Sequence, residues 1–220
     1  MELLANTLPR FSIPDARTRA ECQARYEEAR EAEARELLKR RIEDAAIPAR
    51  FSRADISECC EEVRRWVAEA DAEGADKWLV LIGRNGRGKT YEACAALKAL
   101  ARSRRVLFAS AARVVEEAAK GREAAALYAN VPALLIDDLG KEDAAAWKCP
   151  AAFEVLDARH ASARLTIVTT NLGSDGLLKH YCGRAGDVEG VGSGIVSRLS
   201  SARIVRFDGP DKRLRMGGAR

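Results

Sequence analysis

The sequence predicts an α/β fold, a parallel sheet with helices on both faces, preceded by a helical N-terminal arm. Three observations predict it. From residue 77 onward, short apolar runs alternate with longer amphipathic ones. A glycine-rich octapeptide joins the first apolar run to the helix that follows. A later apolar run ends in two aspartates. Short, nearly continuous apolar strands are what a sheet covered on both faces requires.

The elements follow in order. Glu, Arg and Ala dominate residues 15–46, with Pro14 before and Pro48 after. This reads as one long helix, because proline is tolerated at a helix start and stops one at its end. Glu27 and Glu31 stand at ion-pairing spacings from Arg30 and Arg35. The apolar stripe of Tyr26, Ala29, Leu37, Leu38 and Ile42 is thin. Two readings stay open: a solvated helix, or a partner-binding arm that buries itself only when docked. A domain boundary is placed at 47/48, giving an arm over 1–47 and a catalytic domain over 48–220.

A second helix is predicted over 55–72, with Val63, Trp66, Val67 and Ala70 on one face and Gly74 as its stop. Strands are predicted at 77–83, 105–110, 133–138, 165–170 and 204–207. Helices are predicted at 89–102, 111–128 with an interruption at Gly121, 143–162, 174–182 and 194–200.

Composition excludes several classes. With 220 residues, 47% hydrophobic and 32% charged, the chain builds one domain plus an appendage and is not disordered. Aromatics are 5%, so the core rests on Ala, Val, Leu and Ile. The net charge of +4 permits a nucleic-acid partner without demanding one. No apolar run approaches the roughly 20 residues of a membrane span, so no membrane partner is expected. Met1-Glu2-Leu3-Leu4 has no basic start and no long apolar stretch, so no signal peptide is read there. Cys22, Cys59, Cys60, Cys94, Cys149 and Cys182 form no CxxC pair, and His160 and His180 stand apart from them. Reduced thiols in a cytoplasmic protein are the expectation, without a structural zinc.

The chemistry is carried by four motifs. Gly83-Arg84-Asn85-Gly86-Arg87-Gly88-Lys89-Thr90 fits G-x-x-x-x-G-K-[ST] between a predicted strand and a predicted helix. Its backbone N–H groups can curl around phosphates, Lys89 can reach the β- and γ-phosphates, and Thr90 can hold Mg²⁺. Asp137 and Asp138 close the apolar run 133–136. Acids at a buried strand end call for a cation or a hydrogen-bond network. Asp137 fits the metal-holding position and Asp138 the base acting on the attacking water. Thr169-Thr170-Asn171 ends another strand at the sheet edge where α/β folds bind ligands; Asn171 can hold the attacking water or touch the γ-phosphate. Ser197-Arg198-Leu199 offers an arginine on a short helix beyond that edge.

Together with Ile47-Pro48-Ala49-Arg50-Phe51, the run 134–142 and Gly209-Pro210-Asp211-Lys212-Arg213, these motifs resemble the AAA+ ATPases of the DnaC/IstB type over residues 47–212. The resemblance implies a RecA-like P-loop NTPase core. It implies ATP and Mg²⁺ as cofactors, Asn171 as sensor 1 and Arg198 as an arginine finger acting in trans. Arg159 is a weaker trans candidate. It implies a loader of a replicative hexameric helicase onto single-stranded DNA, self-assembling with ATP, with Arg113, Lys120 and Arg122 as basic candidates for DNA contact. Where many relatives carry Glu, this chain has Asp138, so slow hydrolysis is expected. The 13 residues after 207 are too few for a helical lid. The alternatives are an IstB-type transposition ATPase that binds duplex DNA and a transposase, a nucleotide-binding adaptor that does not hydrolyse, and a small-molecule P-loop kinase.

Overall fold

The computed structural model describes residues 16–143, 150–182 and 190–209. The strands are β1 (Trp78–Ile82), β2 (Val106–Ser110), β3 (Ala133–Leu139), β4 (Leu165–Thr170) and β5 (Arg203–Arg206). They form one sheet in the order β2-β3-β4-β1-β5, and each adjacent pair is parallel. β4 therefore lies between β1, which leads into the glycine-rich loop, and β3, which carries the acids. Leu79, Leu81, Leu134, Leu135 and Ile136 are fully buried. Consecutive buried residues mean both faces are covered, as the apolar runs predict.

The helices are α1 (Ala16–Glu43), α2 (Glu61–Ala68), α3 (Lys89–Leu100), α4 (Ala111–Ala118), α5 (Arg122–Asn130), α6 (Pro150–Ala161), α7 (Ser174–Cys182) and α8 (Val191–Ser200). α4 and α5 part at Gly121, whose φ of 135° interrupts the helix where expected. The predicted 143–162 helix is seen from Pro150. Residues 144–149 and the closing Pro210-Asp211-Lys212-Arg213 lie outside the described residues.

The 55–72 helix is not continuous. Ile56–Glu58 forms a 3₁₀ turn, and Cys59 and Cys60 are extended before α2 begins. Asp55 caps the turn by accepting from Ser57 N at 2.8 Å. Cys60 N donates to Glu92 Oε2 at 3.0 Å, so a carboxylate from α3 draws this amide out of the helix ladder. Trp66, the anchor of α2, is buried and donates its indole N–H to Asp76 O at 2.7 Å.

Compactness divides the chain into 1–39 and 40–220. α1 is a 28-residue helix. Tyr26 and Leu37 are exposed, and Arg35 and Glu31 face each other at 4.0 Å across one turn. In the larger unit, Arg41 Nη1 donates to Ala101 O and Arg102 O, each at 3.0 Å. Ala45 is fully buried, and its carbonyl accepts from Phe108 N at 2.7 Å, pairing the outer edge of β2.

Arg159 does not suit the trans role. It is fully buried on α6 and donates to Tyr128 O at 2.8 Å, Val131 O at 2.8 Å, Leu165 O at 2.6 Å and Thr166 Oγ1 at 3.0 Å. Burial pushes its pKa down to about 9, yet at neutral pH the guanidinium stays charged, held by four carbonyls, Ala129 O at 3.5 Å included, and a hydroxyl. It ties the end of α5 to the start of β4 and cannot reach a neighbouring subunit. Arg159→Met is expected to cost about 3 kcal/mol or more, because buried acceptors lose their donor. That corresponds to roughly 6–12 °C in Tm. A thermal melt within about 2 °C of wild type would show that the carbonyls find other partners.

Candidate nucleotide site

At the carboxyl ends of β1, β3 and β4 lies a cavity of about 450 Å³. Its floor is the loop after β1, and Asn85 through Thr90 line it. The loop's shape requires glycine at two places. Gly88 precedes α3 with φ 94°, a left-handed conformation that side chains resist. At Gly83 a Cβ would stand 2.4 Å from Phe207 O, so β5 packs against the loop only over a bare backbone. α3 then points its N-terminus, with its positive partial charge, at the cavity.

Lys89 Nζ donates to Gly83 O at 2.7 Å, Arg84 O at 3.0 Å and Asn171 Oδ1 at 2.9 Å. The last contact exists because β4 is the neighbour of β1. Thr90 Oγ1 donates to Asp137 Oδ1 at 2.9 Å. Thr169 Oγ1 donates to the same oxygen at 2.6 Å. Burial raises the pKa of Asp137, while these two hydroxyl bonds pull it down. A buried acid beside the loop's hydroxyl is the donor set a hard divalent cation takes. Asp138 lines the cavity and pairs with Lys141 Nζ at 2.7 Å. Its φ is 62°. Asp and Asn enter that region far more readily than Glu, which accounts for the short acid here.

The structure thus brings together the loop, Lys89, Thr90, Asp137, Asp138 and Asn171. Arg198 lies elsewhere. It pairs with Asp157, donates to Gly194 O at 2.7 Å and sits 4.9 Å from the centre of the Phe153 ring. Glu142, the next acid after Asp138, is taken up by its own loop and by α7. Its carboxylate accepts from Gly140 N, Lys141 N and the Tyr181 hydroxyl at 3.0, 3.1 and 2.5 Å.

Sequence reasoning missed one wall of the cavity. Phe51, with Arg50 stacked 4.6 Å above its ring, and Tyr91, bonded to Glu58, line it as well. Phe51 was visible only as part of the opening motif, and Tyr91 follows Thr90 without a pattern of its own. An aromatic wall suits a flat heterocycle. Burial raises Cys59 to about 12 and Cys60 to about 11, so neither is a thiolate at neutral pH. Among the described residues no cluster of His, Cys, Asp and Glu holds a metal, and no helix is long and apolar enough to cross a membrane.

A parallel sheet of this order, a phosphate loop after β1, an interior strand beside the central β4, and an acid paired to the loop threonine define a P-loop NTPase of the AAA+ type. Residues 66–216 match the family described as IstB-like ATP binding protein, and the chain belongs to it. No curated protein matches the chain significantly. Among solved structures it is similar to DnaI, at 23% identity and TM-score 0.62, over 76% of this chain and 95% of that one. It is similar to the DnaC helicase loader, at 20% identity and TM-score 0.56, over 73% and 100%. AMPPCP-bound DnaA from Aquifex aeolicus aligns at 21% identity and TM-score 0.55, over 75% and 53%. These likenesses bear on the fold.

Proposed function

We propose that the chain is an ATP-switched loader of a replicative hexameric helicase onto single-stranded DNA, with slow ATP hydrolysis resetting the switch. The observation that carries the reading is the assembled site. Loop, lysine, paired acid and sensor asparagine meet at one sheet edge, in a core that spans the whole DnaC loader chain. The residues fit MgATP. Gly86, Gly88 and Lys89 cradle phosphates, Thr90 and Asp137 hold the cation, and Phe51 and Tyr91 flank the base. Mg²⁺ bound there neutralises charge on the β- and γ-phosphates. Asp138 takes the proton from water, Asn171 orients that water, and Arg198 completes the site of a neighbouring subunit. The 1–39 arm binds the helicase, and Arg113, Lys120 and Arg122 contact DNA.

The family's description, IstB-like ATP binding protein, is equally compatible with a second reading, an IstB-type ATPase working with a transposase on duplex DNA. Co-purification separates the two. The full chain is expected to retain the host's hexameric helicase with ATP and to lose it without. A chain beginning at Arg40 keeps the Arg41 and Ala45 contacts, so it is expected to fold, bind ATP and lose the helicase. ATP-dependent retention of a transposase and duplex DNA instead would establish the second reading.

A further inference from the structure

β3 and β4 pair regularly from Ala133 with Leu165 to Ile136 with Val168, and again at Leu139 with Thr170. Between these points two residues, Asp137 and Asp138, stand opposite one, Thr169. This is a β-bulge. In an unbroken strand, neighbouring side chains point to opposite faces of the sheet. Two adjacent acids would then be divided, one toward the phosphate loop and one away from it. The extra residue, with Asp138 at φ 62°, removes that conflict. Asp137 reaches Thr90, and Asp138 still lines the cavity.

Thr169 is fully buried, and its hydroxyl touches both members of the bulge. It accepts from Asp138 N at 2.9 Å and donates to Asp137 Oδ1 at 2.6 Å. Its one proton goes to the first acid, and a lone pair fixes the backbone of the second. Accepting one bond polarises the other, so the two strengthen each other. Thr170 closes the far side by donating to Leu139 O at 2.7 Å.

We propose that Thr169 is a positioning residue for both acids, its hydroxyl holding the bulge that turns Asp137 and Asp138 together toward the phosphate loop. The proposal rests on the reading of Asp137 as the cation-holding acid and Asp138 as the base.

The test compares Thr169→Val, which loses the hydroxyl, with Thr169→Ser, which keeps it. A non-hydrolysable ATP analogue is titrated in EDTA and over a Mg²⁺ series, and turnover is measured at saturating MgATP. In EDTA all forms are expected to bind alike, since the loop is untouched. Thr169→Val is expected to need about 10–100-fold more Mg²⁺ for tight binding and to lose kcat by a similar factor, the range found when partners of metal ligands are removed. Thr169→Ser is expected to stay within about threefold of wild type, well inside that range. Thr169→Ala repeats the loss of hydroxyl without adding a buried methyl.

A valine or alanine form with wild-type Mg²⁺ dependence and kcat overturns the proposal, whatever its Tm. Unfolding of both while serine folds also overturns it, because the hydroxyl is then needed for the fold rather than for the acids' direction. Asp137→Asn marks the underlying reading separately. Unchanged Mg²⁺ dependence in that variant means the acid assignment has failed, not the bulge argument.

Discussion

Lys89→Ala is expected to weaken ATP binding by about 100-fold or more while leaving the fold intact. The ammonium donates to three oxygens, Gly83 O, Arg84 O and Asn171 Oδ1. Gly83, Arg84 and Asn171 are each at least partly exposed, so water can take the donor's place and its loss costs the fold only about 1 kcal/mol. Phosphate oxygens lose more. Each charged hydrogen bond is worth about 1.5–3 kcal/mol, and about 1.4 kcal/mol is tenfold in affinity. Two such contacts give the expected loss. Titration of a fluorescent ATP analogue measures it, with a thermal melt as the check on folding. Affinity within about threefold of wild type, under 1 kcal/mol, would mean that the loop does not bind phosphate through this residue.

Arg198→Ala is expected to leave ATP binding by single subunits unchanged and to lower turnover of the assembly by about 10³-fold or more. The local cost is small. The lost pair is with Asp157, whose side chain is 55% exposed, and such pairs are worth under about 1 kcal/mol. An arginine held by Asp157, Gly194 O and Phe153 reaches a neighbour's phosphate only by leaving all three. Mixing tests this directly. Lys89→Ala subunits keep the arginine and lack a working pocket, while Arg198→Ala subunits keep the pocket. Some mixed interfaces then hold both halves, and ATPase activity is expected where neither parent shows it. Silence at every ratio, with subunit exchange verified, would confine Arg198 to packing α8 on α6.

The parts legible in the sequence are those set by local pattern. The strands at 78–82, 133–139 and 165–170 show as apolar runs, and the phosphate loop shows as glycines at fixed offsets. What stayed hidden depends on a distant partner. The break at Cys59 and Cys60 is made by Glu92, which lies 32 residues beyond Cys60. The bulge at Asp137 and Asp138 belongs to the pairing with β4, and no reading of β3 alone contains it. Arg159 follows the helical pattern of α6 and precedes the sensor strand, so its position invites a catalytic role. Only the packed α5 and β4 reveal that its guanidinium faces inward. The aromatic wall is assembled from Phe51 and Tyr91, 40 positions apart, and needs the fold before it exists.

The contacts of Arg41 give α3 a partner at each end. The helix has 12 residues, about 18 Å of rigid rod. Its N-terminus meets the phosphate loop, and just past its other end the carbonyls of Ala101 and Arg102 are gripped by Arg41, in the last turn of α1. Near that end Lys98 also holds Ser52 O and Ala54 O, each at 2.7 Å. Negative charge at the front and a guanidinium at the back load the helix dipole in the same sense. The phosphate loop and the Arg41 guanidinium are therefore the two terminals of one rigid rod.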